Sequence, residues 1–284
     1  MRLHPVIVPA LGGIEFLKGH GTENDFVLIP DPGGGLELSP LQVSALCDRR
    51  SGIGADGLLL IAPGRDGHGY FMDYRNADGS LAEMCGNGAR VFAKFLYDAG
   101  WVSPGPFRFE TRGGTREAQM TAEGLIRIEM GPVAVGGAGT TSARMLDGGW
   151  REFTGVAVDV GNPHLVVMPD IPLADFDLTV APLFDAAQFP TGVNIEFVTV
   201  VSDDEVRMRV FERGVGETRS CGTGTVAAAA AHLSAAGRST GAVEVSVPGG
   251  VVYVDIESDT SALTGPAVIV GAGWIDPEWW SLRR

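Results

Sequence analysis

Two kinds of hydrophobic pattern run along this chain of 284 residues, and each predicts its own type of secondary structure. Alternating or short apolar runs, separated by turn residues, predict β-strands. In the first half these runs occur at 15–29, where a turn separates two strands, at LLLIA (58–62), at 70–76 and at 107–135. Alternation in the last of these runs indicates antiparallel strands.

Two helices are predicted in the same half of the chain. The first, at 41–49, follows Ser39 and Pro40, which supply an N-cap and a proline in the first turn. The second follows the motif MCGNG and ends at Gly100, a suitable C-cap. Its apolar residues recur at helical spacing: Val91, Phe92, Phe95 and Leu96.

The second half of the chain repeats this order of elements. Its predicted strands are VAVDVGNPHLVVM, which contains a turn, VNIEFVTV, VRMRVFERG and the hairpin VEVSVPGGVVYVDI. A helix, CGTGTVAAAAAHLSAAG, ends at Gly237. The glycine-rich segment GGAGTTSAR at 136–144 is interpreted as a loop or linker.

The repeat has a fixed offset, because Cys221 follows Cys85 by 221 − 85 = 136 residues. The same offset aligns Gly86 with Gly222, Gly88 with Gly224, and Asn76 with Glu212. We therefore predict an α+β fold with two pseudo-symmetric domains from an internal duplication. Each is expected to be a mixed, mainly antiparallel sheet around a central helix. The predicted domains are 1–134, to which 266–284 returns, and 135–265, with the active site in the cleft between them.

Composition narrows the class of partner. Lys+Arg number 21 and Asp+Glu 35, a net charge of −14, which would repel nucleic acid and anionic lipid. No apolar run approaches the ~20 residues that span a bilayer. Three cysteines cannot all pair, which favours free thiols in a reducing cytoplasm. These features predict a cytoplasmic globular protein without a membrane or nucleic-acid partner.

Two cysteines stand at matching helix starts, Cys85 in MCGNG and Cys221 in SCGTG. Free backbone N–H groups and the helix dipole there stabilise a thiolate, and the same N–H groups can hold a carboxylate. One thiolate and one thiol on opposite sides of a carbon atom could remove a proton from one face and return one to the other. The configuration then inverts by general acid–base catalysis.

Other interpretations remain open on spacing alone. The protein could be a catalytically inactive binding module, or a redox sensor in which Cys85 and Cys221 form a disulfide. Cys47 is interpreted as a core residue. Asn24 and Asn162 could simply cap their own turns, and His164 could be a structural residue with its hydrogen bonds satisfied. The Glu212–Arg213 pair could be a surface ion pair. The chain contains no P-loop, dinucleotide fingerprint or zinc spacing, and neither of its two lysines suggests a pyridoxal site. We expect no metal and no cofactor.

Five motifs in order, HGTENDF, NADGSLAEMCGNGAR, GNPH, VNIEF and ERGVGETRSCGTGT, resemble the diaminopimelate epimerase family over about residues 15–235. The resemblance implies two similar α/β domains, usually in a homodimer. It also implies cofactor-independent interconversion of LL- and meso-2,6-diaminopimelate, in lysine and peptidoglycan precursor synthesis.

By the same resemblance, Cys85 and Cys221 are the acid/base pair and His164 assists the chemistry. Glu212 would bind the reacting ammonium and Arg213 the distal carboxylate. The resemblance implies that the remaining matched positions bind substrate: Asn24, Asn76, Asn162 and Asn194 through their side chains, and Gly86, Asn87, Gly222 and Thr223 as the cradle of the reacting carboxylate.

The chain departs from the family at Gly57, where many members have a glutamine that contacts substrate. That contact is therefore lost or supplied by another residue. A proline or hydroxyproline racemase has similar paired cysteines, but Arg213 and the asparagines favour a substrate with a distal carboxylate. A phenazine-pathway isomerase shares the fold but lacks the paired cysteines.

Overall fold

The computed structural model describes residues 13–64 and 69–283 and divides the chain into two compact units. The first unit runs to Ile128 and resumes at Pro266, and the second is Glu129–Gly265. The division therefore follows Ile128 rather than residue 134.

The first nine strands are β1 (Ile14–Gly21), β2 (Asn24–Pro30), β3 (Gly57–Pro63), β4 (Tyr70–Asn76), β5 (Phe107–Thr111), β6 (Gly114–Met120), β7 (Ile126–Gly131), β8 (Ala134–Arg144) and β9 (Trp150–Asp159). The other strands are β10 (Pro163–Val167), β11 (Leu183–Phe184), β12 (Asn194–Ser202), β13 (Glu205–Glu212), β14 (Gly216–Thr218), β15 (Gly241–Val247), β16 (Gly250–Ile256), β17 (Ser261–Gly265) and β18 (Val268–Ile275). The helices are α1 (Pro40–Cys47), α2 (Gly86–Asp98), α3 (Gly222–Ala235) and α4 (Pro277–Ser281).

The two units repeat one strand order. The first has β18-β1-β2-β3-β4-β5-β6-β7, in which only β2–β3 and β4–β5 are parallel. The second has β8-β9-β10-β12-β13-β15-β16-β17, in which only β10–β12 and β13–β15 are parallel. The parallel pairs occupy the same third and fifth places. The predicted α+β duplication with mixed, mainly antiparallel sheets is confirmed.

One helix lies at the centre of each unit. Helix α2 packs on β1, β2, β3, β4, β6 and β18, and α3 packs on β8, β9, β10, β12, β13, β15, β16 and β17. Most residues of both helices are buried, because strands surround them. The central position explains why α3 is apolar on nearly every face, with five consecutive alanines in AAAAAHL.

Local signals predict several elements correctly. Ser39 caps α1 in a capping box with Gln42, and Pro40 begins the helix. The strand predicted at 70–76 and the hairpin around residues 248–249 are both present. The residues that end the two central helices, Gly100 and Gly237, have positive φ of 69° and 73°.

The loop predicted at 136–144 is wrong, since these residues lie within β8. This strand pairs with β9 along almost its whole length, interrupted by a bulge between Val135 and Ala138. Backbone hydrogen bonding to a neighbouring strand does not depend on side chains, so a glycine-rich segment can form a strand where a partner is available.

The returning segment completes the first unit. Strand β18 pairs with β1, and Trp279 and Trp280 of α4 pack against the core that contains Leu46 and Leu58. Within residues 13–64 and 69–283, every helix is too short or too polar to cross a bilayer.

Candidate active site

Cys85 lies where α2 begins. It is the N-cap residue, with extended backbone (φ −137°, ψ 120°), and its Sγ accepts a hydrogen bond from the Gly88 N–H at 3.5 Å. A sulfur at this position faces the unpaired N–H groups of the first turn, which favour a negative charge. A Cβ at Gly88 would meet Leu59 and Phe26 at 3.2–3.4 Å, so the helix start lies close to the strands behind it.

Two predicted asparagines adjoin this thiol. The Cys85 S–H donates to Asn24 Oδ1 at 3.6 Å, and Asn87 Nδ2 donates to the same oxygen at 3.2 Å. Asn24 Nδ2 in turn donates to Asp56 at 2.9 Å. The amide of Asn24 is thus oriented with its oxygen towards the sulfur. Gly86 begins the helix beside them, with its backbone buried.

An ion cluster supports Asn24 from behind. Asp25 binds Arg49 at 2.7 Å and Lys18 at 2.6 Å, and Arg49 also binds Asp56 at 2.7 Å. Burial opposes ionisation of Asp25, but its hydrogen bonds with Arg49, Lys18 and Asp56 outweigh burial and hold its pKa well below the usual range. The cluster anchors the start of β2, from which Asn24 projects.

The lowered pKa of Asp25 predicts a stability contribution that depends on pH. Since the folded pKa lies below the unfolded value, the contribution is present above about pH 4 and is lost as the pH falls through the folded pKa. We expect Asp25→Asn to lower the free energy of unfolding near pH 7 by on the order of 1–2 kcal/mol. Urea denaturation should show this difference shrinking towards pH 2; a difference independent of pH would contradict the assignment.

Asn76 and Gly57 lie opposite each other on β4 and β3. Asn76 Nδ2 donates to Ser80 Oγ at 2.9 Å, which closes the turn after β4. A Cβ at residue 57 would lie 2.7 Å from the Arg75 carbonyl oxygen and 2.8 Å from the Tyr74 ring. The backbone here has no space for a side chain, which gives a physical reason for Gly57.

Cys221 has the same position in the second unit. It caps α3 with extended backbone (φ −124°, ψ 119°), and its Sγ accepts from the Gly224 N–H at 3.4 Å. The Thr223 hydroxyl lies 3.6 Å from the sulfur, and Gly222 begins the helix with its backbone buried. Burial raises the pKa of Cys221 well above the usual value, and the neighbouring carboxyl groups of Glu212 and Glu196 raise it further.

A chain of hydrogen bonds leads from Thr223 to a buried pair. Asn162 Nδ2 donates to Thr223 Oγ1 at 3.4 Å, and Asn162 Oδ1 lies 3.1 Å from His164 Nε2. His164 Nδ1 lies 2.7 Å from Glu196 Oε1, with both side chains wholly buried. Burial raises the pKa of Glu196, opposed by His164. The pair therefore holds a proton between Nδ1 and Oε1 and fixes the orientation of the imidazole ring.

Glu212 lies at the end of β13 beside Cys221. Burial raises its pKa, while hydrogen bonds from Thr218 and Cys221 act in the opposite direction. The Thr218 hydroxyl donates to Glu212 Oε1. A carboxyl group held against a thiol in this way favours the thiol over the thiolate.

Asn194 and Arg213 form a neighbouring group at the same end of the sheet. Asn194 Oδ1 accepts from the Arg213 backbone N–H at 2.9 Å, and Arg213 Nη1 donates to the Thr191 carbonyl oxygen at 2.8 Å. Arg213 lies over Gly192, where a Cβ would approach its Cδ to 2.7 Å. Its guanidinium remains exposed, which suits a group that binds a carboxylate.

Sequence reasoning missed Glu196, Thr218, Thr22 and Arg90. A signal for Glu196 exists in the sequence, since a carboxylate between Ile195 and Phe197 interrupts a buried strand. Cys47, interpreted from sequence as a core residue, is buried with its pKa raised to about 11, chiefly by burial. All three cysteines are free thiols.

Solved structures of known proteins show the same duplicated architecture. A Bacillus anthracis phenazine biosynthesis protein of the PhzF family superposes with a TM-score of 0.69 at 14% identity, covering 92% of this chain and 98% of the other. A probable proline racemase from Agrobacterium radiobacter K84 gives 0.65 at 15%, covering 92% of both chains. At these identities the likeness concerns the fold alone. The chain has the fold of the protein class that includes proline racemases and PhzF-family proteins.

Sequence comparison is more specific. Residues 16–135 and 156–270 match the diaminopimelate epimerase family, to which the chain belongs. A Corynebacterium glutamicum diaminopimelate epimerase is 51% identical over 275 residues, covering 92% of this chain and 97% of that protein. One from Rhodococcus erythropolis is 48% identical over 290 residues, covering 94% and 98%. The chain is therefore an isomerase of the epimerase type.

Proposed function

We propose that the protein interconverts LL- and meso-2,6-diaminopimelate with Cys85 and Cys221 as its acid/base pair and without a cofactor. The observation that carries the proposal is the repeated N-cap geometry. Each sulfur accepts one N–H bond from the third residue of its helix, at 3.5 Å and 3.4 Å. The relatives named above support the choice of substrate.

In this mechanism one cysteine, as thiolate, removes the α-proton, and the other, as thiol, donates a proton to the opposite face of the same carbon. The electron pair left on the α-carbon is delocalised into the substrate carboxylate, which the backbone N–H groups of the two helix starts hold. Gly86 with Asn87, and Gly222 with Thr223, supply this cradle. Each turnover exchanges the protonation states of the two sulfurs, and proton exchange with solvent restores them before the next turnover in the same direction.

The surrounding residues are assigned by their contacts. Glu212, beside Cys221, binds the reacting ammonium, and His164 acts through Asn162 and Thr223 on Cys221. Arg213 binds the distal carboxylate through its exposed guanidinium, with Asn194 holding its backbone. Asn24 and Asn76 bind the substrate from the first unit. Because Gly57 has no side chain, the contact that many relatives make with glutamine is absent or made by another group.

The cellular setting follows from the same proposal. An enzyme with two free catalytic thiols requires a reducing compartment, so we place it in the cytoplasm. Its product would enter lysine and peptidoglycan precursor synthesis. We propose a homodimer as the assembly.

The proposal is tested with reduced protein and LL-diaminopimelate in D₂O. We expect α-deuterium by NMR together with meso product by chromatography, because the proton returned to the carbon comes from a thiol in exchange with solvent. Proline and 4-hydroxyproline serve as matched substrates and should remain unlabelled. Labelling of these ring substrates alone would indicate a racemase. A disulfide forming under mild oxidant, with all three substrates inert, would indicate a redox sensor.

A further inference from the structure

Arg90 is a fully buried cation in the first unit. It lies on α2, one turn after Cys85, and its side chain extends back towards the start of the helix, as helical side chains do. Its hydrogen bonds go to the carbonyl oxygens of Pro266 (3.2 Å) and Gly86 (3.5 Å) and to the hydroxyl of Thr22 (3.0 Å). All three acceptors are neutral, and no carboxylate pairs with Arg90 in the described part of the chain.

A buried cation at this place is electrostatically costly. Burial without a counter-charge disfavours a guanidinium, and the first turn of a helix is already the positive end of its dipole. Burial accordingly lowers the pKa of Arg90 to about 10, and the negative charge of ionised Cys85 acts against this lowering. The cost is offset when an anion occupies the helix start, and Cys85 is the ionisable group there.

Hydrogen bonds also connect Arg90 with the sulfur. Arg90 donates to Thr22, Thr22 donates to Asn87 Oδ1 at 3.5 Å, and Asn87 donates to the oxygen of Asn24 that faces Cys85. Thr22 is buried in the left-handed region at φ 49°, which is rare for a β-branched residue. The contacts with Arg90 and Asn87 hold the β1–β2 turn in this strained conformation.

The second unit has carboxyl groups, rather than a cation, at the matching helix start. The 136-residue offset aligns Arg90 with Val226, which is buried and apolar. Strand register aligns Leu59 with Glu196 and Phe26 with His164. The duplicated scaffold thus places a buried cation behind Cys85 and buried carboxyl groups behind Cys221.

We infer that Arg90 is a positioning residue for Cys85. Arg90 supplies the counter-charge for the Cys85 thiolate, and it holds the hydrogen-bonded chain of Thr22, Asn87 and Asn24 that faces the thiol. The inference rests on the proposed function, in which Cys85 alternates between thiol and thiolate. When Cys85 ionises, its S–H bond to Asn24 is lost, while the Gly88 N–H and the charge of Arg90 remain. Arg90 itself is buried and does not contact substrate.

The charged groups that connect with Cys85 through Asn24 already have partners. Asp56, which reaches Cys85 through Asn24, binds Arg49, and Asp25 binds both Arg49 and Lys18. Their charges therefore largely cancel, whereas that of Arg90 does not. Arg90 is the group whose removal should change the ionisation of Cys85.

The test is the pH dependence of alkylation by iodoacetamide, followed for each cysteine by peptide mass spectrometry between about pH 5 and pH 10. Arg90→Met should lower the Cys85 alkylation rate near pH 7 about tenfold or more, because a lost neighbouring charge reduces the thiolate fraction. Arg90→Lys retains the charge and should stay within about threefold of wild type. The profiles of Cys47 and Cys221 serve as internal controls and should not change.

Thr22→Val separates charge from hydrogen bonding, because it removes the hydroxyl and leaves the guanidinium. It should lower the melting temperature and move the Cys85 profile less than Arg90→Met does. A Cys85 profile unchanged in Arg90→Met, with only stability or KM altered, would overturn the inference. If Arg90→Met does not fold, Arg90→Lys decides: a tenfold loss there, with the charge retained, would overturn it equally.

The alkylation experiment contains no substrate. A protein that failed to epimerise diaminopimelate could still show the Arg90-dependent profile, and an active epimerase could lack it. The inference and the proposed function can therefore fail separately.

Discussion

Replacement of either Cys85 or Cys221 by alanine should abolish epimerisation, with a loss on the order of 10³-fold or more in the formation of meso product. The two-base mechanism requires one group to remove the proton and another to deliver it, and general acid–base groups contribute about 10²–10⁴-fold each. Meso product from LL-diaminopimelate, measured by chromatography, gives the rate. Circular dichroism and thermal melting establish that each variant is folded.

Cys47→Ala is the matched control for the cysteine variants. Cys47 is buried in the core of the first unit, with Leu46 and Val43 around it, and has no part in the proposed chemistry. Its replacement should leave turnover unchanged while lowering stability, because it leaves a small cavity. Full activity in Cys85→Ala or in Cys221→Ala would exclude the two-base mechanism.

The second large effect is expected at the buried pair of His164 and Glu196. His164→Phe alone leaves Glu196 in the core without its partner and should lower the free energy of unfolding by about 3–5 kcal/mol. Glu196→Leu alone should be destabilising for the same reason. The double variant has Phe at 164 and Leu at 196, and the first unit has the same residue types, Phe26 and Leu59, at the matching positions. The double variant should therefore recover most of the stability.

Activity should not recover with stability in the double variant. Without the imidazole, Asn162 loses its 3.1 Å contact and no longer holds Thr223 against Cys221, so turnover should fall on the order of 10²-fold. A double-mutant cycle by urea denaturation measures the coupling, and initial rates measure the loss. Strictly additive stability effects would show that the two side chains are not coupled, and a fully active double variant would remove His164 from the mechanism.

Features whose physical causes are local can be predicted from the sequence alone. Ser39, Pro40 and Gln42 cap α1 with their own side chains, and alternation along residues 70–76 matches a strand with one face inward. Glycines and the periodic residues that follow mark the first turn of each central helix, and Cys85 and Cys221 are indeed the N-cap residues there. The constant offset of 136 residues showed the duplication without any knowledge of contacts.

Features that depend on partners distant in the chain are visible only in the folded protein. Residues 136–144 form a strand because β9 pairs with them, which their glycine-rich composition does not indicate. Glu196 becomes part of the site because His164, 32 residues earlier, lies beside it on a parallel strand. In the sequence, Arg90 resembles an ordinary surface arginine. In the fold, the strands packed around α2 bury the guanidinium of Arg90 completely. Residues adjacent in the chain determine the local backbone conformation. Residues adjacent in space determine which side chains are buried, which strands pair and which groups are ionised, so these features depend on the complete fold.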